Sequence, residues 1–157
     1  MCIYVYRVIA LGLQDIVKII NHDFTVESVF TCLPLKGAVD VVTMSYSYSM
    51  IPDQQSAMNN VSQLLKSNGE GLLMIADFFL KGNYDDCLPK LSRSLRRAES
   101  AFHKNWFALD HIHLLTAKEL SLGSPSLEVI WDNRFRGSVP FLPFLQPFHG
   151  VCILKKK

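Results

Sequence analysis

The four cysteines, Cys2, Cys32, Cys87 and Cys152, lie far apart and form no C-x-x-C pair. Zinc and dithiol redox motifs are therefore missing, and reduced thiols in an intracellular protein are expected. Concentrated charge is also missing. Sixteen basic against fourteen acidic residues give a net charge of +2, and the only basic run is Lys155–Lys157. A nucleic-acid partner needs a basic face, so none is expected, and the terminal lysines read as a solvated tail more than as a lipid-binding patch. Long apolar runs are lacking too. "GLLMIADFFL" contains Asp77 and falls far short of the roughly 20 residues that cross a bilayer. "MCIYVYRVIALGL" is interrupted by Arg7, with neither the basic leader nor the small-residue cleavage site of a signal peptide. "VPFLPFLQPF" carries three prolines, which forbid a helix through it. No Walker-type phosphate loop, G-x-G-x-x-G or G-x-S-x-G occurs, which leaves the common nucleotide and serine-hydrolase motifs without support. The expected location is intracellular, cytoplasmic or peripheral at a membrane.

What is present describes an α/β domain. A chain of 157 residues with 49% hydrophobic content can bury a sizeable core. Residues 4–12 read as the end of a helix capped at Gly12. "DIVKIIN", β-branched, reads as a strand ending at Asn21–His22–Asp23, and residues 24–38 as loop. "AVDVVTM" reads as a second strand, apolar on both faces apart from Asp40 and Thr43, as in a parallel sheet covered on both sides. Pro52 and Asp53 start a helix with Ala57, Val61, Leu64 and Leu65 on one face, ended by Asn68–Gly69. "GLLMIADFF" is a third buried strand. "CLPKLSRSLRRAESAFHKNWF" is an amphipathic helix with Leu91, Leu95, Ala98 and Phe102 at spacings of three to four. "LEVIWDNRF" and "FHGVCILKK" are two more strands, and the Pro-rich segment between them is too short for a crossover helix, so they form an antiparallel pair. Ligands of such sheets bind outside the carboxyl ends of the strands. The positions of interest are therefore Asp23, the residues after Met44, and Asp77–Phe79.

Several constellations compete there. His111 and His113 could supply two metal ligands, but no third is placed, so no metal is expected. His22–Asp23 lacks the partner motifs of a metal phosphohydrolase; Asp23 reads better as a strand-end carboxylate that accepts hydrogen bonds from an amine or ribose hydroxyl. "SYSYS" is either a polar turn or part of a site, and its place after a strand favours the site. "FHKNWF" is core or helix anchor before it is a substrate cage.

"DVVTMSYSYSMIPD" before a helix, followed by "LLKSNGEGLLMIADFF", resembles the second half of a class I S-adenosylmethionine-dependent methyltransferase, where "LLKPGG" commonly stands for "LLKSNG". "SYSYSMIPD", "DFF" and "WFALDHIHL" more particularly resemble the methyltransferase part of betaine-lipid synthases, over roughly residues 7–155. The resemblance implies a Rossmann-like sheet, mostly parallel with a C-terminal antiparallel hairpin, S-adenosylmethionine as cofactor, and a lipid amine or other small amine as acceptor. It places Asp23 and Phe24 at the adenine, and Met44, Ser45 and Tyr46 at the methionyl and sulfonium end. Ser49 and Met50 would lie near the acceptor, Asp77 to Phe79 on a pocket wall, and Trp106 and Phe107 on the lipid-headgroup side. No catalytic residue is assigned.

The family's glycine-rich turn after strand 1 and its acidic residue after strand 2 have no counterpart, and Gly12 cannot make that turn. Residues 1–157 are accordingly expected to form one partial methyltransferase domain, a remnant helix over 1–13 and the strand 3 to strand 7 region over 14–157. It would lack the first two strands and be impaired on its own. Its fourth strand would then expose an edge able to pair with another chain. The alternative is a non-catalytic binding or assembly module, or a membrane-docking fragment, that uses that edge and the "VPFLPFLQPF" surface.

Overall fold

The computed structural model describes residues 3–26, 30, 35–67, 69–80, 90–116, 125–137 and 148–157, with the side chains of 3–6, 90–94 and 96 excepted. Four strands make one sheet: β1 (Val41–Ser45), β2 (Leu72–Phe79), β3 (Leu127–Arg136) and β4 (Phe148–Lys156). Their order is β1-β2-β4-β3. β1 and β2 run parallel, and β4 is antiparallel to both β2 and β3. This is the expected α/β sheet, a parallel start closed by an antiparallel hairpin. Helices α1 (Ile3–Ala10), α2 (Gln54–Leu64) and α3 (Lys90–Ala108) and a 3-10 turn (Tyr48–Met50) complete the described elements.

The core lies on one face of the sheet. Side chains alternate along a strand, so register assigns the faces: Leu73, Ile75, Asp77 and Phe79 of β2 lie beside Leu154, Cys152, Gly150 and Phe148 of β4. Met58, Val61 and Leu65 pack against this covered face with Met44 and Tyr48. Each such fully buried aliphatic side chain contributes about 1.5–3 kcal/mol. The opposite, open face carries Val41, Met74 and Trp131, all exposed. "AVDVVTM" was expected to be covered on both sides. Val41 and Thr43 are exposed, so one side is not, and among the described residues no strand pairs with the outer edge of β1.

Local signals explain the element ends. Leu13 N–H donates to Val8 O and Gly12 N–H to Ile9 O, both at 3.0 Å. With Gly12 at φ +66°, this is a Schellman cap on α1. Asp53 caps α2 by accepting from Ser56 N–H at 3.0 Å. That helix ends at Leu64 rather than at Asn68–Gly69, because Leu65 is drawn into an extended bridge with Val39 and fully buried.

Two further expectations are corrected. "DIVKIIN" is no strand: residues 14–16 form a turn, residues 17–23 are irregular, and Ile16 is 81% exposed. Strand propensity is realised only against a neighbouring strand and a covering layer, and this segment has neither among the described residues. In α3 the predicted inner face points outward, with Leu95 at 65% and Phe102 at 47% exposure, while His103 and Phe107 are buried. The side chain of Leu91 lies outside the described residues.

Gly150 shows how closely the covered face is packed. A Cβ there would lie 2.6 Å from Cδ2 and 2.7 Å from Cε2 of Phe79. Gly150→Ala is expected to destabilise the fold by about 1–3 kcal/mol, read as a lower urea midpoint at unchanged slope.

Candidate functional site

The carboxyl ends of β1 and β2 hold the hydroxyl-rich loop. The chain leaves β1 through Tyr46, whose N–H donates to Ala76 O at 2.7 Å and whose φ is +49°. That left-handed conformation is uncommon for a bulky residue and turns the chain off the sheet. The 3-10 turn then buries Tyr48 and Ser49. Ser49 is fastened to β2: its N–H donates to Asp77 Oδ2 at 2.9 Å and its hydroxyl to Oδ1 at 2.6 Å. Phe78 N–H also donates to Oδ1, at 2.8 Å. Across the loop, His113 N–H donates to Ser49 O at 2.8 Å. Asp77 is fully buried, so its carboxyl group serves as a structural clasp.

On the open face beside this clasp the rings gather. Tyr46 and Phe78 have centroids 5.1 Å apart, Phe78 and Phe107 4.8 Å, and Phe78 and His149 5.0 Å. Phe135 stacks on His149 at 5.9 Å and 12°. The Tyr46 hydroxyl and His149 Nδ1 are 2.9 Å apart. Burial lowers the proton affinity of His149 below its ordinary value.

The residues expected on the adenine side sit elsewhere. Asp23 Oδ1 accepts from Thr25 N–H at 2.9 Å and from the Thr25 hydroxyl at 2.7 Å. These bonds hold its carboxyl below the usual range. Asn60 Nδ2 donates to Phe24 O at 2.8 Å, which anchors this turn to α2, and Phe24 packs on the core.

The sequence-predicted residues thus separate. Ser45, Tyr46 and Met50 are exposed at the carboxyl edge, and Ser49 is buried beneath them. Met44 and Phe79, expected to border cofactor and pocket, are core side chains instead. Alternation turns both toward α2, and Asp77 is fully occupied by its clasp. Phe107 joins the ring group, whereas Trp106 pairs with Phe102 at 5.8 Å. His149 and Phe135 were missed, while Phe78 falls within the expected Asp77–Phe79 wall. The signal was available in principle: an antiparallel partner of β2 begins at the carboxyl edge, which sets His149 opposite Phe78.

An adenosyl sulfonium cofactor fits these residues in part. Asp23 can accept from an amine, and Ser45 and Tyr46 present hydroxyls. Among the described residues no glycine cradle serves a carboxypropyl tail, since Gly12 closes a helix and a Cβ on it would touch nothing within 4 Å.

Two outcomes are expected. Ser49→Ala removes one of the two donors to Oδ1 of a buried carboxyl and should cost about 1–3 kcal/mol of unfolding free energy in urea titration. His103 and His149 are both lowered, in each case chiefly by burial. The unfolded chain therefore binds protons that the folded chain resists. Their contribution is present above about pH 6.5 and lost as pH falls below it, so the urea midpoint should drop across that window, and less so in His149→Asn.

A family model described as "Methyltransferase domain" matches residues 4–122. No curated protein matches the chain. Among solved structures, a SAM-dependent methyltransferase from Methanosarcina mazei is 15% identical, with TM-score 0.56 over 86% of this chain and 65% of that one. The cyclase SpnF is 13% identical, with TM-score 0.62 over 98% and 61%. A SAM-dependent methyltransferase from Thermotoga maritima is 14% identical, with TM-score 0.56 over 96% and 70%. The chain spans less than two thirds of the first two, and at these identities the likeness concerns the fold. The family match covers more than half of the sequence, and on it the chain belongs to the methyltransferase domain family.

Proposed function

We propose that this chain carries part of an S-adenosylmethionine-dependent methyltransferase site for an amine acceptor, with a betaine-lipid headgroup as the favoured substrate. The observation that supports this reading is the group of hydroxyls and rings at the carboxyl edge, Ser45, Tyr46, Phe78 and His149, together with a separate acidic turn at Asp23 that Asn60 anchors to α2. The cofactor supplies a methyl group already activated on a sulfonium. The chain's own task is then to position reactants and keep water out. Asp23 and Phe24 would hold the adenine side, and Ser45 and Tyr46 the sulfonium side. Met50 and the Phe78–Phe107 pair would line the acceptor side, with Asp77 and Ser49 beneath them as support. Ring faces favour a quaternary ammonium by roughly 0.5–2 kcal/mol each.

A second reading, a binding or assembly module, is favoured by the unpaired outer edge of β1 and the exposed Val41, Met74 and Trp131 on the open face. It takes either another protein chain or a membrane surface as partner. No helix among the described residues is long and apolar enough to cross a membrane, so membrane contact in this reading is peripheral.

Isothermal titration calorimetry with S-adenosylmethionine and its demethylated product tests the first reading. Weak, saturable heat is expected, diminished in Asp23→Ala. No heat at millimolar ligand would remove cofactor binding by this chain and leave the assembly reading.

A further inference from the structure

Tyr46 and His149 stand 103 residues apart in sequence yet meet at 2.9 Å. Nothing in folding demands that bond. Tyr46 is 44% exposed, so water could satisfy its hydroxyl. The imidazole is nonetheless held on every side. Phe135 stacks on it, Phe78 lies against it, and its Nε2 edge rests on Gly137, where a Cβ would collide with the ring. That seating turns Nδ1 toward Tyr46.

We infer that Tyr46 and His149 form a proton relay that neutralises an ammonium acceptor. In the tautomer with the ring proton on Nε2, the Tyr46 hydroxyl donates to Nδ1. An alkylammonium bound at the exposed hydroxyl gives its proton to Tyr46 Oη as Tyr46 passes its own to His149 Nδ1. The acceptor is left as a neutral amine with its lone pair available, and His149 becomes an imidazolium. The proton returns through Tyr46 to water once the site empties. The inference rests on the amine-methylating reading, which calls for such a base. Tyr46 is the residue that touches substrate, and His149 acts through it.

The surroundings suit the role. Burial keeps His149 neutral near pH 7, with Nδ1 placed to accept from Tyr46, and its lowered proton affinity makes the imidazolium a transient species that returns its proton. The charged groups nearest to it on β3 face the other way. Arg134 pairs with Asp132 at 2.9 Å and stacks over Phe79 at 4.9 Å. Arg136 pairs with Glu99 at 3.0 Å and stacks over Phe148 at 5.1 Å. Asp77 is held by Ser49 and Phe78 on the covered face, and on α3 His103 lies on that side, lining a small cavity with Phe79 and Phe148.

The test is nitrogen-15 NMR of the histidines in the whole chain at constant pH near 7.5, with the His149→Asn variant assigning one of the five. Methylammonium is expected to shift His149 Nδ1 upfield within the imine range, because the Tyr46 hydroxyl that accepts from the ammonium then donates more strongly to Nδ1, and tetramethylammonium, which has no N–H to donate, to leave it unmoved. Tyr46→Phe should abolish the response. So should Gly137→Ala, which displaces the imidazole while keeping both partners, and circular dichroism checks that each variant folds. The demethylated cofactor is titrated in parallel by calorimetry. If it binds and His149 Nδ1 does not move with methylammonium, the relay is overturned and the methyltransferase reading stands. If it fails to bind and His149 still responds, the relay stands and the methyltransferase reading falls. Equal response to both ammonium ions would also overturn the relay.

Discussion

Asp77 accepts from Ser49 N–H, the Ser49 hydroxyl and Phe78 N–H while fully buried between β2 and the loop after β1. A buried carboxyl group is tolerable only when its oxygens are satisfied, and then it fixes geometry sharply, because any alternative position leaves it without partners. The consequence runs outward. Ser49 sets the 3-10 turn, the turn sets where the chain leaves β1, and that exit puts Tyr46 in its left-handed conformation with its ring against Phe78. The Tyr46 hydroxyl is therefore exposed, while the group that determines its position is buried on the opposite face.

The sheet divides labour between its two faces. The covered face holds the core of Leu73, Ile75, Phe79, Cys152 and Leu154 under α2. Cys152 is correspondingly inert, its thiol pushed up to about 12, chiefly by burial. The open face carries the ring group at one end and exposed Val41, Met74 and Trp131 beyond it. Fold does not set reaction. SpnF, a cyclase, shares this architecture with methyltransferases at 13% identity to the present chain. A functional argument must therefore come from the site itself.

Much of the architecture was legible in the sequence because its signals are local. Gly12 caps α1, Asp53 caps α2, and Ala57, Val61, Leu64 and Leu65 share a buried face, as their spacing required. The failures share a cause. "DIVKIIN" has strand composition but no described neighbour to pair with. Leu95, Ala98 and Phe102 have core spacing but face outward, because periodicity identifies a face without saying what lies against it. α2 stops at Leu64 since bridging to Val39 places Leu65 better than another helical turn would. The site was legible as a place, the loop from Ser45 to Met50. Its side chains sorted into core, clasp and exposed ring only through strand register, which turned Met44 and Phe79 inward.

The sequence alone determined the types of the four strands and three helices, the caps at Gly12 and Asp53 and the α/β class, because each depends on residues within a few positions of one another. It also marked the strand-to-helix passage as the candidate site, since hydroxyls cluster there in plain view. Only the tertiary structure decided which of those hydroxyls is available. The antiparallel return of β4 lays His149 beside Phe78 and within 2.9 Å of the Tyr46 hydroxyl, while Ser49 is taken by Asp77. Register across a sheet is a long-range property, fixed by which face is buried, and no local pattern in either segment records it.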